Sequence, residues 1–171
     1  MESNDKEMWN RAGLTEGILN MSAYAVYWKN FAKDRAAGNW PCPRWYSNFA
    51  ILRDLEAGDL LFLFASGKAC QKPEQHAGYL VQLFEVESVG RNPGDNASYP
   101  ADEFEYVISA SAQGAALTPR LLVDSIVRLP EHLPEMPIGQ IRQQPHRLTD
   151  DEEGHLIALI EVDVRQRKEK K

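Results

Sequence analysis

The sequence predicts an α+β fold weighted towards strands: a curved sheet or small barrel of five or six mostly antiparallel strands, with flanking helices. Three observations point there. Short β-type apolar runs recur from Ala23 to Leu129, loops rich in turn formers separate them, and only two segments carry helical spacing.

Ala23 to Trp28 (AYAVYW) is a short β-rich run. Ser47 to Leu55 (SNFAILRDL) has helical spacing, with Phe49, Leu52 and Leu55 on one face and either Ser47 or Asn48 as its cap. Gly58-Asp59 stops that helix and turns the chain. Leu60 to Ala65 (LLFLFA) is continuously apolar, the pattern of a strand buried on both faces, and it should be central. Ala77 to Val89 reads as a long strand, Glu103 to Ser109 alternates, and Leu121 to Leu129 is another β-type run. The loop Gly90 to Pro100 (GRNPGDNASYP) is rich in turn formers, and Gly67 to His76 is polar with two lysines. Thr149-Asp150-Asp151-Glu152 fits a capping box, so a helix runs from about Asp150 to about Ile160. The following EVDVRQR either continues it or forms a last strand.

Composition bounds the class. A chain of 171 residues, 43% apolar and 26% charged, is the size and balance of one water-exposed domain with a sizeable core. No apolar run approaches the ~20 residues of a membrane helix. The first twenty residues are polar and lack a signal-peptide apolar region, so a cytoplasmic protein without membrane contact is expected. Cys42 and Cys70 are too few for a disulfide framework.

The aromatic residues are unevenly placed. Tyr24, Tyr27, Trp28, Phe31, Trp40, Trp45, Tyr46 and Phe49 are eight of sixteen in the chain. Lys29, Lys33, Arg35 and Arg44 are interleaved with them. Charge follows the same division. Lys29 to Lys72 holds seven basic and four acidic residues, a net of +3, against −9 for the remainder. Aromatic faces stack on bases and nearby cations hold phosphates, so the window suits a flat, electron-poor ring beside a phosphate. A core ringed by snorkelling basic side chains gives the same composition.

Catalytic signatures are thin. Walker A, GxGxxG, HExxH and GxSxG motifs are all missing. Cys42, Cys70 and His76 match no compact zinc spacing and lack a fourth ligand, so neither metal nor cofactor is expected. Lys68 and Asp59 are the best acid–base candidates, and neither has a partner in sequence.

The order of features resembles the PUA-like superfamily, in particular its EVE and YTH branches. The residues that carry the resemblance are Tyr27-Trp28 closing the first strand, Arg44-Trp45-Tyr46-Ser47-Asn48 before a helix with Leu52, and Gly58-Asp59 leading into Leu60 to Gly67. Gly78-Tyr79-Leu80 opens the returning strand, and Ile141 to Thr149 leads into an acidic-start helix. The resemblance covers about 22–162, leaving an N-terminal extension (1–21) and a charged tail (163–171). Lys29 to Pro43 does not align, and Gly67 to His76 is longer than the family core needs.

The resemblance implies a pseudo-barrel whose aromatic pocket reads a modified base, in DNA or RNA. Trp45 then forms one wall of a cage, Asn48 bonds a base edge, and Ser66 lies at the floor or rim. Trp40 or Trp28 supplies the second wall. Lys29, Lys33, Arg44, Lys68 and Lys72 are the candidates for the nucleic-acid backbone. A core role for Trp45 and an N-cap role for Asn48 compete with these assignments. An enzyme acting on a base or nucleotide and a protein-interaction module are the other readings. An aromatic pocket with no titratable group inside favours the first over the second, and the absence of any such pocket favours the third.

Overall fold

The strand Leu60–Ser66 explains why six apolar residues stand in a row: both of its faces are covered. The computed structural model, which describes residues 22–111, 126–130, 132–133, 136–137 and 144–169, sets this strand (β3) between two others. Ala23–Tyr27 (β1) runs parallel to it, and Gly78–Arg91 (β4) runs antiparallel. Strand periodicity sends Leu60, Phe62 and Phe64 to one face, where Ala23 and Ala25 join Leu156, Ile157 and Ile160 of the last helix. Leu61, Leu63 and Ala65 point the other way, towards Trp28, Phe31, Leu52 and Ile108.

Between β1 and β3 the chain makes Phe31–Ala36 (α1), Arg44–Ser47 (β2) and Ala50–Arg53 (α2). Then come β3, β4 and Tyr106–Ala110 (β5). The short strands Val127–Arg128 (β6), His132–Leu133 (β7), Met136–Pro137 (β8) and His146–Arg147 (β9) precede the helix Asp150–Glu169 (α3). The main sheet has the order β2-β5-β4-β3-β1-β9, with β6 also paired to β4; β7 and β8 pair with each other. The fold is α+β with a mixed sheet, in which β1 with β3 is the parallel pair and the other described pairings are antiparallel.

β4 serves two sets of partners. Its first part pairs with β3 and β6, and Val86 to Arg91 pair with β5. The register shifts between Val86 and Ser88, a bulge that bends the strand and re-aims its second part. The β5–β2 ribbon thereby carries Trp45 and Tyr46 beside the end of β1.

The expected helix over Ser47–Leu55 is corrected. Ser47 ends β2, paired with Tyr106, and its Oγ accepts the Phe49 N–H at 3.0 Å. That local bond and the strand pairing hold 44–49 out of helical geometry, so α2 is only four residues long. Phe49 occupies the N-cap position without a side-chain cap, in place of Ser47 or Asn48. Leu52 and Leu55 are buried as expected, whereas Phe49 faces outward.

The capping box forms as read. Thr149 Oγ1 accepts the Glu152 N–H at 3.1 Å, and Glu152 Oε1 accepts the Thr149 N–H at 2.9 Å. Four acidic side chains occupy the first turn, where the helix dipole favours them. EVDVRQR continues the helix, which runs through Glu169. The N-terminal extension and most of the Leu121–Leu129 run lie outside the described residues.

Candidate binding cleft

The cleft begins where β1 ends. A cavity of about 250 Å³ opens among the end of β1, the β2–α2 segment and the loop between β4 and β5. Tyr27, Trp28, Lys29 and Asn30 come from the first; Arg44, Trp45, Tyr46, Asn48 and Phe49 from the second; Tyr99 and Phe104 from the third. Asn39 and Cys42 contribute from the stretch after α1.

The walls are aromatic rings in contact. Trp45, half-buried, meets Trp28 edge to face, with ring centroids 5.4 Å apart at 89°. Tyr46 stacks on Tyr99 at 4.7 Å and 10°, and Phe104 packs against Tyr99 edge-on at 5.0 Å. Such arrangements match the quadrupoles of the rings and fix their orientation.

A buried carboxylate lies behind these walls. Asp34 Oδ2 accepts the Trp28 indole N–H at 2.7 Å and also the Tyr99 hydroxyl. One oxygen thus ties the end of β1 to the β4–β5 loop. Burial, then the hydrogen bond to Asp34, pushes the Tyr99 phenol above the ordinary tyrosine range. Burial, followed by the charge of Asp34, does the same to the Cys42 thiol. Both groups stay protonated at neutral pH. Gln82 holds the Cys42 backbone at both ends: its Oε1 accepts the Cys42 N–H and its Nε2 donates to the Cys42 carbonyl, each at 2.9 Å.

The β4–β5 loop is fixed by Asn92. Its Nδ2 donates to the carbonyls of Tyr99 at 2.9 Å and Phe104 at 2.8 Å, and its Oδ1 accepts the Gly94 N–H at 2.9 Å. Gly94 has φ +77°, a conformation that side chains resist. Arg44 at the mouth lies 3.5 Å from Asp95 of the same loop. Its neighbours Tyr46 and then Asp95 hold it further in its charged form.

Of the residues singled out from sequence, the cleft gathers Trp28, Trp45, Asn48, Lys29 and Arg44. Trp40 is elsewhere. Its Nε1 donates to the Val81 carbonyl at 2.9 Å, its ring meets Phe31 edge-on at 5.6 Å, and the Arg35 guanidinium lies over it at 5.1 Å. Trp28 does border the cleft, but it is 2% exposed and touches Trp45 edge to face rather than facing it across the cavity. Ser66 is at the same end of the sheet, but it stands outside the lining and its Oγ accepts the Ala69 N–H at 3.2 Å to close the following turn. Lys33 is exposed on α1, Lys68 is exposed in the turn after β3, and Lys72 Nζ lies 6.0 Å from the Tyr79 ring centroid. None of these three lines the cleft.

Asp59 is structural. Its two carboxylate oxygens accept the N–H groups of Ser22 and Glu56, each at 2.8 Å, and brace the turn into β3. It precedes Leu60, at the opposite end of β3 from the cleft, roughly 20 Å away along a seven-residue strand. Among the described residues no three His, Cys, Asp or Glu side chains gather as a metal site, and no helix is long and apolar enough to cross a membrane. Asn30, Asp34, Asn39, Tyr99 and Phe104 are the site residues that sequence reasoning missed, and Tyr46 was noted only as part of the aromatic window. The turn-rich run around Asn92 was the available signal for Tyr99 and Phe104.

No family model matches the chain, and no curated protein matches it. Among solved structures, that of a hypothetical protein from Leishmania major is similar, with a TM-score of 0.48 at 10% identity. The similarity covers 84% of this chain and 96% of that one.

Proposed function

We propose that this chain is a reader of modified nucleotides that takes one methylated base of DNA or RNA into the aromatic cleft of a PUA-like, EVE/YTH-like domain. The observation that carries the reading is the cleft itself: stacked and edge-on aromatic rings around about 250 Å³, with two cations beside it. That volume falls just below the ~300 Å³ at which small-molecule pockets begin, which suits a single ring system. The side-chain amides of Asn30, Asn39 and Asn48 offer both donors and acceptors to a base edge. Lys29 and Arg44 offer charge to a phosphate.

A binding role is favoured over acid–base catalysis. Among the described residues no Asp, Glu or His lines the cleft, its buried thiol and phenol are held protonated, and its lysine, Lys29, is exposed to solvent. The register shift in β4, which divides its pairing between β3 and β5, supports the PUA-like part of the reading.

The test is titration of labelled oligonucleotides, with and without common base methylations, at two salt concentrations. One methylated form should bind more tightly than its unmodified parent. Trp45→Ala should remove that preference, costing about 1–3 kcal/mol, roughly 5- to 150-fold in affinity, while the protein still folds. Equal affinity for every methylated and unmodified strand would sink the reading.

A further inference from the structure

The Asp34 carboxylate, 5% exposed, is a buried charge that no cation answers. Carboxylates at that depth are ordinarily paired with a cation or a metal, because a lone charge out of water is costly. Here the two partners are neutral donors, the Trp28 indole N–H and the Tyr99 hydroxyl. Among the described residues no Lys, Arg or His forms an ion pair with it. Its chain neighbours Lys33 and Arg35 are exposed, and the Arg35 guanidinium lies over the Trp40 ring. Lys29 and Arg44 at the cleft are exposed as well, and Arg44 pairs with Asp95. Water and salt screen these outer charges far more than the buried one.

We propose that the cleft selects a methylated base with a fixed positive charge, one alkylated on a ring nitrogen, and that Asp34 supplies the counter-charge from behind the aromatic walls. The inference rests on the reader function and narrows its ligand from methylated bases at large to cationic ones. Two independent features converge. The first is the lining: Trp45, Tyr46, Tyr99 and Phe104 border one cavity, and aromatic rings attract cations as well as stacking on bases. The second is the carboxylate. Both residues that donate to it, Trp28 and Tyr99, line the cavity, so a single side chain stands between the charge and the ligand. Where water is excluded, that attraction is several times stronger than in bulk water. Donation to a carboxylate also polarises the indole and the phenol, which favours a cation beside them. A neutral methylated base gains the stacking and neither charge effect. The amides of Asn30, Asn39 and Asn48 suit a base edge better than the methylated ammonium group of a protein, which has no edge to bond.

Isomeric nucleoside monophosphates isolate the charge, because both members carry one methyl and one phosphate and differ in where the methyl sits. The pairs are 1-methyladenosine against N6-methyladenosine, 7-methylguanosine against 1-methylguanosine, and 3-methylcytidine against 5-methylcytidine. In mildly acidic buffer the first base of each pair is cationic and the second neutral. Calorimetric titration of the full chain should show the cationic isomer of at least one pair binding roughly 20-fold or more tightly than its partner. That ratio should survive an about tenfold rise in salt, since the counter-charge is buried. Asp34→Asn keeps an acceptor for both donors. In it the ratio should fall to about 2- to 5-fold, the share the rings supply, while the neutral isomer binds as before. Binding of the neutral isomer as tightly or more tightly in every pair overturns the inference; the reader function stands if a methylated nucleotide still outbinds its unmodified parent, and falls with it if none does. An unchanged ratio in folded Asp34→Asn overturns it too. If that variant does not fold, the unaltered protein decides: a preference lost at high salt comes from exposed groups and overturns the role of Asp34. Failure to bind any methylated nucleotide, or tighter binding of a trimethyl-lysine peptide than of every nucleotide, overturns both together.

Discussion

Removing the Asp34 carboxylate should loosen two walls of the cleft at once. Its Oδ2 accepts the Trp28 N–H and the Tyr99 hydroxyl, and all three residues are buried. Asp34→Ala strands both donors. Each buried donor left without a partner costs about 1–3 kcal/mol, roughly 2–6 kcal/mol for the two. Relief of the buried charge offsets part of this, which places the expected loss near 2–3 kcal/mol. Asp34→Asn keeps an oxygen on which both bonds can converge. It loses only the charge-assisted share, about half as much. Urea unfolding followed by tryptophan fluorescence reads the difference. With a slope of about 2 kcal/mol per molar, Asp34→Ala should lower the midpoint by roughly 1 M and Asp34→Asn by roughly half that. An unchanged midpoint in Asp34→Ala, or a greater loss in Asp34→Asn than in Asp34→Ala, would refute the role of this carboxylate.

Three other outcomes are expected. A Cβ on Gly67 would sit 1.9 Å from the Glu74 carbonyl oxygen, and backbone cannot yield as a side-chain tip does. Gly67→Ala should therefore cost about 1–3 kcal/mol or more, seen as a melting temperature lower by several degrees. Burial raises the Cys70 thiol from 9.0 to about 11, so folding favours its neutral form. That contribution is whole below pH 9 and is lost as pH rises through about 11, at roughly 1 kcal/mol per unit, and Cys70→Ala should remove this share of the alkaline destabilisation. Lys29→Gln with Arg44→Gln should reduce the slope of log affinity for a single strand against log salt by at most about 1.4, and replacing Lys68 and Lys72 should change it less.

What the sequence reveals depends on how local the cause is. Two-sided burial of β3 is legible because six apolar residues adjoin. The capping box is legible because Thr149 and Glu152 are three residues apart. Trp45 and Asn48 are likewise near neighbours and reach one cleft. Ser47 to Leu55 misleads because its helical spacing is overridden by pairing with β5, some sixty residues on. Trp28 and Trp40 are equivalent candidates by composition. Only the partners of their indole N–H groups, Asp34 and the Val81 carbonyl, separate them. Asp34 and Tyr99 meet across 65 residues of chain, beyond the reach of any spacing rule.

The parallel pairing of β1 with β3 has an evolutionary consequence. Parallel neighbours need a long return connection, and here it spans residues 28–59. Apart from Val26, Tyr27, Tyr99 and Phe104, every residue lining the cleft lies within that connection. The lining of the cleft is thus largely a cassette suspended between two fixed strands. Selection, or a laboratory library, can rewrite side chains such as Lys29, Asn30, Asn39, Arg44 and Asn48 while β3, β4 and α3 keep their packing. A family of such chains can then diverge in the chemistry of its cleft while its scaffold stays the same.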